Sequence, residues 1–480
     1  MMWSLLAQAS AGVSAEGAAE AVGAAVNGAA QAVEVVEPTM LTNVIAPYMG
    51  VFFAAFFVSI IATPLMRMLA IRNGIVDLPD LKRKNHLEPV AYLGGVAIFL
   101  GWLIAIGLAY FLVREEDILG QTGFNPLRLV RSNPLLSIMI GAGAITLTGL
   151  FDDIYGINPR VKIGGQLFAA AALANYNVGT QLIGLVFSII GIHALPLPWD
   201  LPLVGADLLP MVNYILATAL IAAMVLGGCN SMNLIDGLDG LSSGVTVIAG
   251  VGFLFIAAFV ALHSPDPLKD PIRIVVCLAM IGAVLGFLPY NFNPASIFMG
   301  DTGSLLLGYL CVASILLYAD AGGRSLLLVT AGLIVFAVPI TDTSLAIFRR
   351  KMQGKPILSP DSQHIHHLLR RSGLSVKKSV GVIYLFAGMF AALGYTMVAM
   401  ELRWRYVLAV FFVLYGFIVV TAYKYGRQYA LLHPADGSKD DEMVLPEAIN
   451  GEEPTSKADA TQADPSTDTD SESRTQSERA

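Results

Sequence analysis

Charge is what this sequence has least of. Only 14% of its 480 residues are Asp, Glu, Lys or Arg, where a soluble globular chain carries about 25%. The deficit is concentrated in long windows with no charge at all, and 55% of the chain is hydrophobic. A purely water-soluble fold is thereby excluded. Cysteine is scarce too: Cys229, Cys277 and Cys311 lie in or beside apolar runs without C-x-x-C spacing. Neither a disulfide framework nor a cysteine metal site follows from that pattern. The chain has no G-x-x-x-x-G-K-[ST] loop, which argues against ATP-driven pumping. Its first 40 residues hold neither Lys nor Arg, so they lack the positive region of a signal peptide.

What is present is a series of apolar runs, and a helix crosses a bilayer with ~20 such residues. Eleven segments meet that length: 46–66, 92–113, 135–151, 164–178, 211–229, 242–262, 273–289, 303–319, 325–345, 379–400 and 405–423. The third and fourth are short, so ten is the alternative count. The sequence therefore predicts an all-α polytopic membrane protein, a bundle of about eleven transmembrane helices, spanning residues 45–425. Residues 1–44, rich in Ala, Gly and Val, read as a mobile leader. Residues 426–480 read as an acidic disordered tail, since 436–480 alone carry thirteen acids against four bases.

Eleven spans make ten connections that alternate between two sides. Connections 67–91, 152–163, 230–241, 290–302 and 346–378 hold fifteen Lys or Arg, eight of them in the last. The other set holds about half as many, and 179–210 holds none. Lys and Arg mark the cytoplasmic side, so the first set faces the cytoplasm. The amino terminus is then outside, and the tail inside, the inner membrane. Every chemically rich stretch falls in the first set: "VDLPDLKRKNH", "LFDDIYGINPRVK", "NSMNLIDGLDG", "NFNPASIFMGDTGS" and "RRKMQGKPILSPDSQHIHHLLRRSG". One active site on the cytoplasmic face is the economical reading.

Asp152 and Asp153 follow an apolar run, where adjacent carboxylates can bind a divalent cation or supply a base; a polar helix end is the bland reading. In "NSMNLIDGLDGLSSG", Asn230, Asn233, Asp236 and Asp239 exceed what capping a turn needs, and Gly237 and Gly240 permit close approach of a ligand. "NFNP" ends one helix, and Asn291, like Asn230, is a candidate for substrate binding. Asp301-Thr302-Gly303-Ser304 starts the next, whose free amides would attract an anion. Phe298 is placed either to pack or to stack on a base. Ser359-Pro360-Asp361 opens a short amphipathic helix that stops at Gly373, with Ile365, Leu368 and Leu369 on its apolar stripe. His364, His367 and Arg371 share another face. A His-x-His-His run also occurs in zinc sites, but no Cys or further His stands near. With Arg349 and Arg350, phosphate binding is the better reading, and a helix for lipid headgroups the bland one. Together the parts fit Mg²⁺-dependent transfer of a phosphorylated group to or from a lipid.

At these five motifs the chain resembles the polyprenyl-phosphate N-acetylhexosamine-1-phosphate transferases. The resemblance spans about residues 45–425 with all motifs in order. It implies ten or eleven spans and the reaction of a UDP-N-acetylhexosamine with polyprenyl phosphate to give polyprenyl-diphospho-N-acetylhexosamine and UMP, the first membrane step of cell-envelope glycan synthesis. It further implies Asp301 and Asn233 as Mg²⁺ ligands, with Mn²⁺ as an alternative ion, and Asp152 and Asp153 as the catalytic pair. Asp236, Asp239 and Phe298 would lie around the nucleotide. Arg350, His364, His366 and His367 would face the diphosphate and sugar. Asp77 and His86 belong to the family's first cytoplasmic loop; where many relatives have Arg before the Gly-Gly of that loop, this chain reads "PVAYLGG". "HIHH" and "DDIYGINPRVKIGGQ" are similar to the GlcNAc-1-phosphate branch. The partners implied are the UDP-sugar, the lipid phosphate and the membrane, with a homodimer as the family's frequent assembly and no nucleic acid. The alternatives are the lipid I-forming branch with a UDP-MurNAc-pentapeptide donor and, more distantly, a secondary transporter, although the acids sit at one rim rather than at the midplane.

Overall fold

The computed structural model describes residues 44–77, 89–117, 134–194, 196–201, 205–263, 269–352, 354, 364–371 and 374–403, with scattered positions from 405 to 420. Residues 1–43 of the expected leader, the tail, His86 and much of the segment 405–423 lie outside them.

The architecture is helical. α1 (Met49–Arg72), α2 (Gly94–Asp117), α3 (Pro134–Tyr155), α4 (Pro159–Asn175), α5 (Gln181–Ile189), α6 (Leu209–Ile235), α7 (Leu241–His263), α8 (Lys269–Asn291) and α9 (Gly300–Leu316) are followed by α10 (Ser325–Val335), α11 (Ala337–Met352), α12 (Ile365–Arg371) and α13 (Val376–Ala399). Two small antiparallel ribbons interrupt the helices: β1 (Val76–Asp77) with β2 (Val90–Ala91), and β3 (Pro196–Leu201) with β4 (Gly205–Asp207).

Seven helices among the described residues are long and apolar enough to cross a membrane: those within 46–72, 134–155, 209–235, 241–263, 271–291, 300–320 and 376–399. This is a multi-pass membrane protein. α10 and α11 make an eighth apolar stretch of that length when taken as one pair, bent by 73° at Phe336. The sequence predicts one straight span over 325–345. The break has a local cause, because Pro339 has no N–H for the carbonyl of Val335 and its ring crowds that oxygen. The expected fourth span, 164–178, is the 17-residue α4, which starts earlier: Asn158 accepts from the Arg160 amide at 2.9 Å and Pro159 holds the first helical position.

α9 is the axle of the bundle. All of its residues from Thr302 to Leu316 are buried, and it packs against α2, α3, α6, α7, α8 and α10. Small residues allow this approach. A methyl group at Gly95 or Gly149 would overlap the backbone at Thr302–Gly303, and one at Gly308 would overlap that of Gly228 and Cys229. The outer helices show the opposite pattern. Phe53, Phe57, Ile61 and Leu65 recur every four residues along α1 and are exposed, a face suited to lipid.

The segment ahead of α9 lies on the β1–β2 ribbon. Ile297 bridges Ala91 in parallel, the Phe298 amide donates to the Ala91 carbonyl at 2.8 Å, and the Gly94 and Gly95 amides donate to the carbonyls of Phe298 and Met299, each at 3.0 Å. These bonds, with the glycine contacts, fix where α9 begins.

Candidate active site

Four segments far apart in sequence deliver one polar cluster. The end of α3 brings Asp152, the first turns of α4 bring Lys162, the end of α6 brings Asn233 and the start of α9 brings Asp301. The Lys162 ammonium donates to Asp152 Oδ2 at 2.9 Å and also to Asp301 Oδ2. Asn233 Nδ2 donates to Asp301 Oδ1 at 2.6 Å and to Ser304 Oγ at 3.0 Å. Asp152 Oδ1 accepts from the Ile157 amide at 3.0 Å, which ties the carboxylate to the turn before α4. Burial opposes the charge on Lys162, but Asp301 and Asp152 outweigh it and hold the ammonium above its ordinary value.

Asp153 faces elsewhere. Its Oδ1 accepts from the Asp301 amide at 2.7 Å, and its Oδ2 accepts from the Thr302 amide at 2.9 Å and the Thr302 hydroxyl at 2.6 Å. The first amides of α9, expected to stand free for an external anion, are thus taken by an internal carboxylate. Gly300 permits this approach: its φ is +66°, and a side chain there would collide with the Asp153 carboxylate.

Several other polar residues hold the loops to one another. Asn291 is buried; its Oδ1 accepts from the Gly240 amide at 3.2 Å and the Ser243 hydroxyl at 2.9 Å, while its Nδ2 donates to the Ile297 carbonyl at 3.1 Å. Asp239 Oδ2 accepts from Asn293 Nδ2 at 2.8 Å and the Ala295 amide at 3.0 Å. Asn230 Nδ2 donates to Gln166 Oε1 at 3.0 Å and to the Leu226 carbonyl at 2.7 Å, joining α6 to α4. Sequence reasoning points all three at substrate, whereas these bonds run to the protein. Asp236, just past the end of α6, is pushed up to about 8 by burial and by the carboxylates of Asp301, Asp153 and Asp239.

The ring of Phe298 lies beside that of Tyr92, centroids 6.1 Å apart. The Tyr92 hydroxyl is held above its ordinary pKa first by burial, then by the adjoining Asp77, to which it hydrogen-bonds. From the other flank comes "HIHH". His364 and His366 are buried and His367 is exposed. Their rings form a file, 5.8 Å between His364 and His366 and 4.2 Å between His366 and His367. His366 Nε2 points at Gly237, where a side chain would collide with it, so the last loop reaches the α6–α7 turn. Burial drives His366 down to about 3, with His367 adding to the effect. Arg350 is buried and Arg349 half-buried in the last turn of α11. The helix over "IHHLLRR" is observed from Ile365 to Arg371; its expected start at Ser359 lies outside the described residues.

Sequence reasoning missed two residues. Lys162 served only as a positive charge in the topology count; its signal was a cation in the early turns of a helix, against the macrodipole. Asp342 sits within an expected apolar span, and an ionisable residue there marks a functional position.

An ion fits this donor set. Asp152 and Asp301 present carboxylate oxygens, hard donors of the kind a divalent cation takes, on either side of the Lys162 ammonium, and Asn233 turns its Nδ2 to Asp301. Among the described residues no three His, Cys, Asp or Glu make a ready cage for a metal.

Comparisons with known proteins identify the family of the chain. The model of the family described as "Glycosyl transferase family 4" matches residues 135–319, from the start of α3 to the end of α9. The chain is 34% identical over 348 residues to the decaprenyl-phosphate N-acetylglucosaminephosphotransferase of Mycolicibacterium smegmatis, covering 70% of this chain and 79% of that protein. It is 34% identical over 342 residues to the probable undecaprenyl-phosphate N-acetylglucosaminyl 1-phosphate transferase of Bacillus subtilis, covering 71% and 82%. It is also 28% identical over 375 residues to the undecaprenyl-phosphate alpha-N-acetylglucosaminyl 1-phosphate transferase of Salmonella typhi, covering 76% and 88%. With the cluster of Asp152, Lys162, Asn233 and Asp301 inside the matched region, the chain belongs to glycosyl transferase family 4.

Proposed function

We propose that this membrane protein transfers N-acetylglucosamine-1-phosphate, or the 1-phosphate of a related N-acetylhexosamine, from its UDP-sugar to polyprenyl phosphate, releasing UMP. The observation that carries this reading is the meeting of Asp152, Lys162, Asn233 and Asp301 at one end of the bundle. The relatives' names supply the lipid phosphate and the GlcNAc-phosphate group. The Lys and Arg bias of the loops supports a cytoplasmic site in the inner membrane, with the amino terminus outside.

In this reaction an oxygen of the lipid phosphate forms a bond to the sugar-bearing phosphorus. The bond from that phosphorus to the bridging oxygen breaks, and UMP leaves with the electron pair. The second pKa of a phosphate monoester is near 6, so the acceptor is mostly ionised at neutral pH and alignment matters more than a base. Asp301, Asn233 and Asp152 would hold Mg²⁺, or Mn²⁺ in its place, which when bound supplies neutralisation of the diphosphate oxygens. Lys162, fixed between two carboxylates, offers N–H donors to the negative charge that grows on the leaving phosphate. Asp153 acts through Asp301 by fixing the first turn of α9. Asp236 and Phe298 border the nucleotide, while Asp239 and Asn291 hold their loops in place. Arg349, Arg350 and the three histidines face the diphosphate and sugar.

The test is a panel of UDP-sugars with purified protein, Mg²⁺ and undecaprenyl phosphate, reading UMP release. UDP-GlcNAc is expected to react, and Asp301→Ala to be inert. Turnover of UDP-MurNAc-pentapeptide alone refutes the donor, and silence with every UDP-sugar refutes the enzyme reading.

A further inference from the structure

Asp342 belongs to none of the five loop motifs, yet it is 1% exposed and both its oxygens are in use. Oδ2 meets His364 Nδ1 at 2.7 Å, and Oδ1 accepts from the Ile365 amide at 2.8 Å. A buried carboxylate is costly unless hydrogen-bonded, and here both bonds go to adjacent residues of the "HIHH" run. The bend at Phe336 makes this possible, because it turns α11 away from the direction of α10 by 73°. Asp342 and Arg350 are eight residues apart, two turns on one face of α11.

A carboxylate at Nδ1 fixes the ring proton on that nitrogen and leaves Nε2 as the neutral ring's acceptor. The orientation passes along the file of rings: His366 lies parallel to His364, 7° between planes, with its Nε2 at Gly237.

We propose that Asp342 is a positioning residue of the transfer reaction. It acts through His364, setting that ring's tautomer and aim so that Nε2 meets the sugar-phosphate substrate, and so couples the arginine-bearing helix α11 to the histidine segment. This rests on the transferase reading above.

The test uses the full-length protein in lipid nanodiscs, with UMP release and melting temperature read on each variant. Asp342→Asn presents an amide where the carboxylate was and favours the opposite tautomer; it should lower kcat/KM by about 10–100-fold, as loss of a ligand-orienting partner does. His364→Ala should fall at least as far. The double variant should then match His364→Ala within about twofold, because the proposed route from Asp342 to the substrate runs through that ring. Independent losses that multiply overturn the proposal, as does wild-type activity in Asp342→Asn. If Asp342→Asn fails to fold, His364→Asn decides. Its side-chain amide can still donate to Asp342 but offers nothing at the Nε2 position, so the protein should melt as wild type and lose kcat. Wild-type turnover in His364→Asn overturns the proposal. A wild-type protein inert with every UDP-sugar would instead refute the underlying enzyme reading.

Discussion

Replacing Asp153 with Ala separates two accounts of the adjacent acids. The geometry makes Asp153 the internal cap of α9, with three hydrogen bonds accepted from Asp301 and Thr302. The Thr302 hydroxyl can turn to another acceptor, but the two backbone N–H groups cannot. Each buried donor left without a partner costs about 1–3 kcal/mol, so Asp153→Ala should destabilise the protein by about 2–6 kcal/mol. That exceeds the roughly 0.5–2 kcal/mol of an ordinary surface N-cap, because α9 is surrounded on all sides. Asp153→Asn keeps one carbonyl oxygen but turns an NH₂ group toward a backbone N–H, so its loss should fall between Ala and wild type. The assay is thermal melting in detergent alongside UMP release and its pH profile. Activity should decline with stability, since Asp301 rides on the capped turn. If Asp153→Ala melts with the wild type while kcat collapses and one limb of the pH profile disappears, the residue works as a chemical group and the capping account is refuted.

Three further outcomes are expected. Lys162→Met leaves Asp152 and Asp301 facing each other without the intervening ammonium; UMP release should drop about 10²–10³-fold, and near-normal turnover would show that the lysine is only structural. Asn291→Ala removes bonds to Gly240, Ser243 and Ile297 and should cost about 2–4 kcal/mol, seen as lower melting with KM for surviving enzyme little changed. A large KM increase at unchanged melting temperature would assign Asn291 to substrate instead. His366 is lowered to about 3 in the folded protein from 6.5, so between those values the unfolded chain binds the extra proton and stability falls as pH falls. From pH 6.5 to 5.5 that loss is about 1 kcal/mol; His366→Gln should flatten that part of the melting curve against pH, and an unchanged slope would contradict it.

Much of this arrangement was readable before any coordinate. Asp152, Asn233 and Asp301 were singled out as polar groups at span ends, and the structure brings them together because alternate ends of successive helices meet at one rim. What residue type alone conceals is direction. Asp152 and Asp153 are neighbours, yet successive residues on a helix point about 100° apart, so one turns to Lys162 and the other to the start of α9. Asn291 and Asp239 read as substrate contacts, yet the bonds they make run to backbone and side-chain groups of neighbouring loops, which no periodicity reveals. Lys162 had been absorbed into a charge count. Asp342 vanished inside a hydrophobic window, although Pro339, three residues earlier, signalled that the window was not a straight helix. Of the eleven expected spans, seven long apolar helices and a bent pair lie among the described residues, and the stretch 405–423 falls largely outside them.

The glycines against α9 carry a consequence for inhibition. Gly95 and Gly149 abut the turn that bears Asp301, and Gly228 meets Gly308 further along, so that turn takes its bearings from main chain pressed against main chain. A compound gripping Asp301 and its neighbours therefore meets a target with few routes of escape. Adding even one carbon at those contacts would displace the turn that carries Asp301, so substitution there offers no route to resistance.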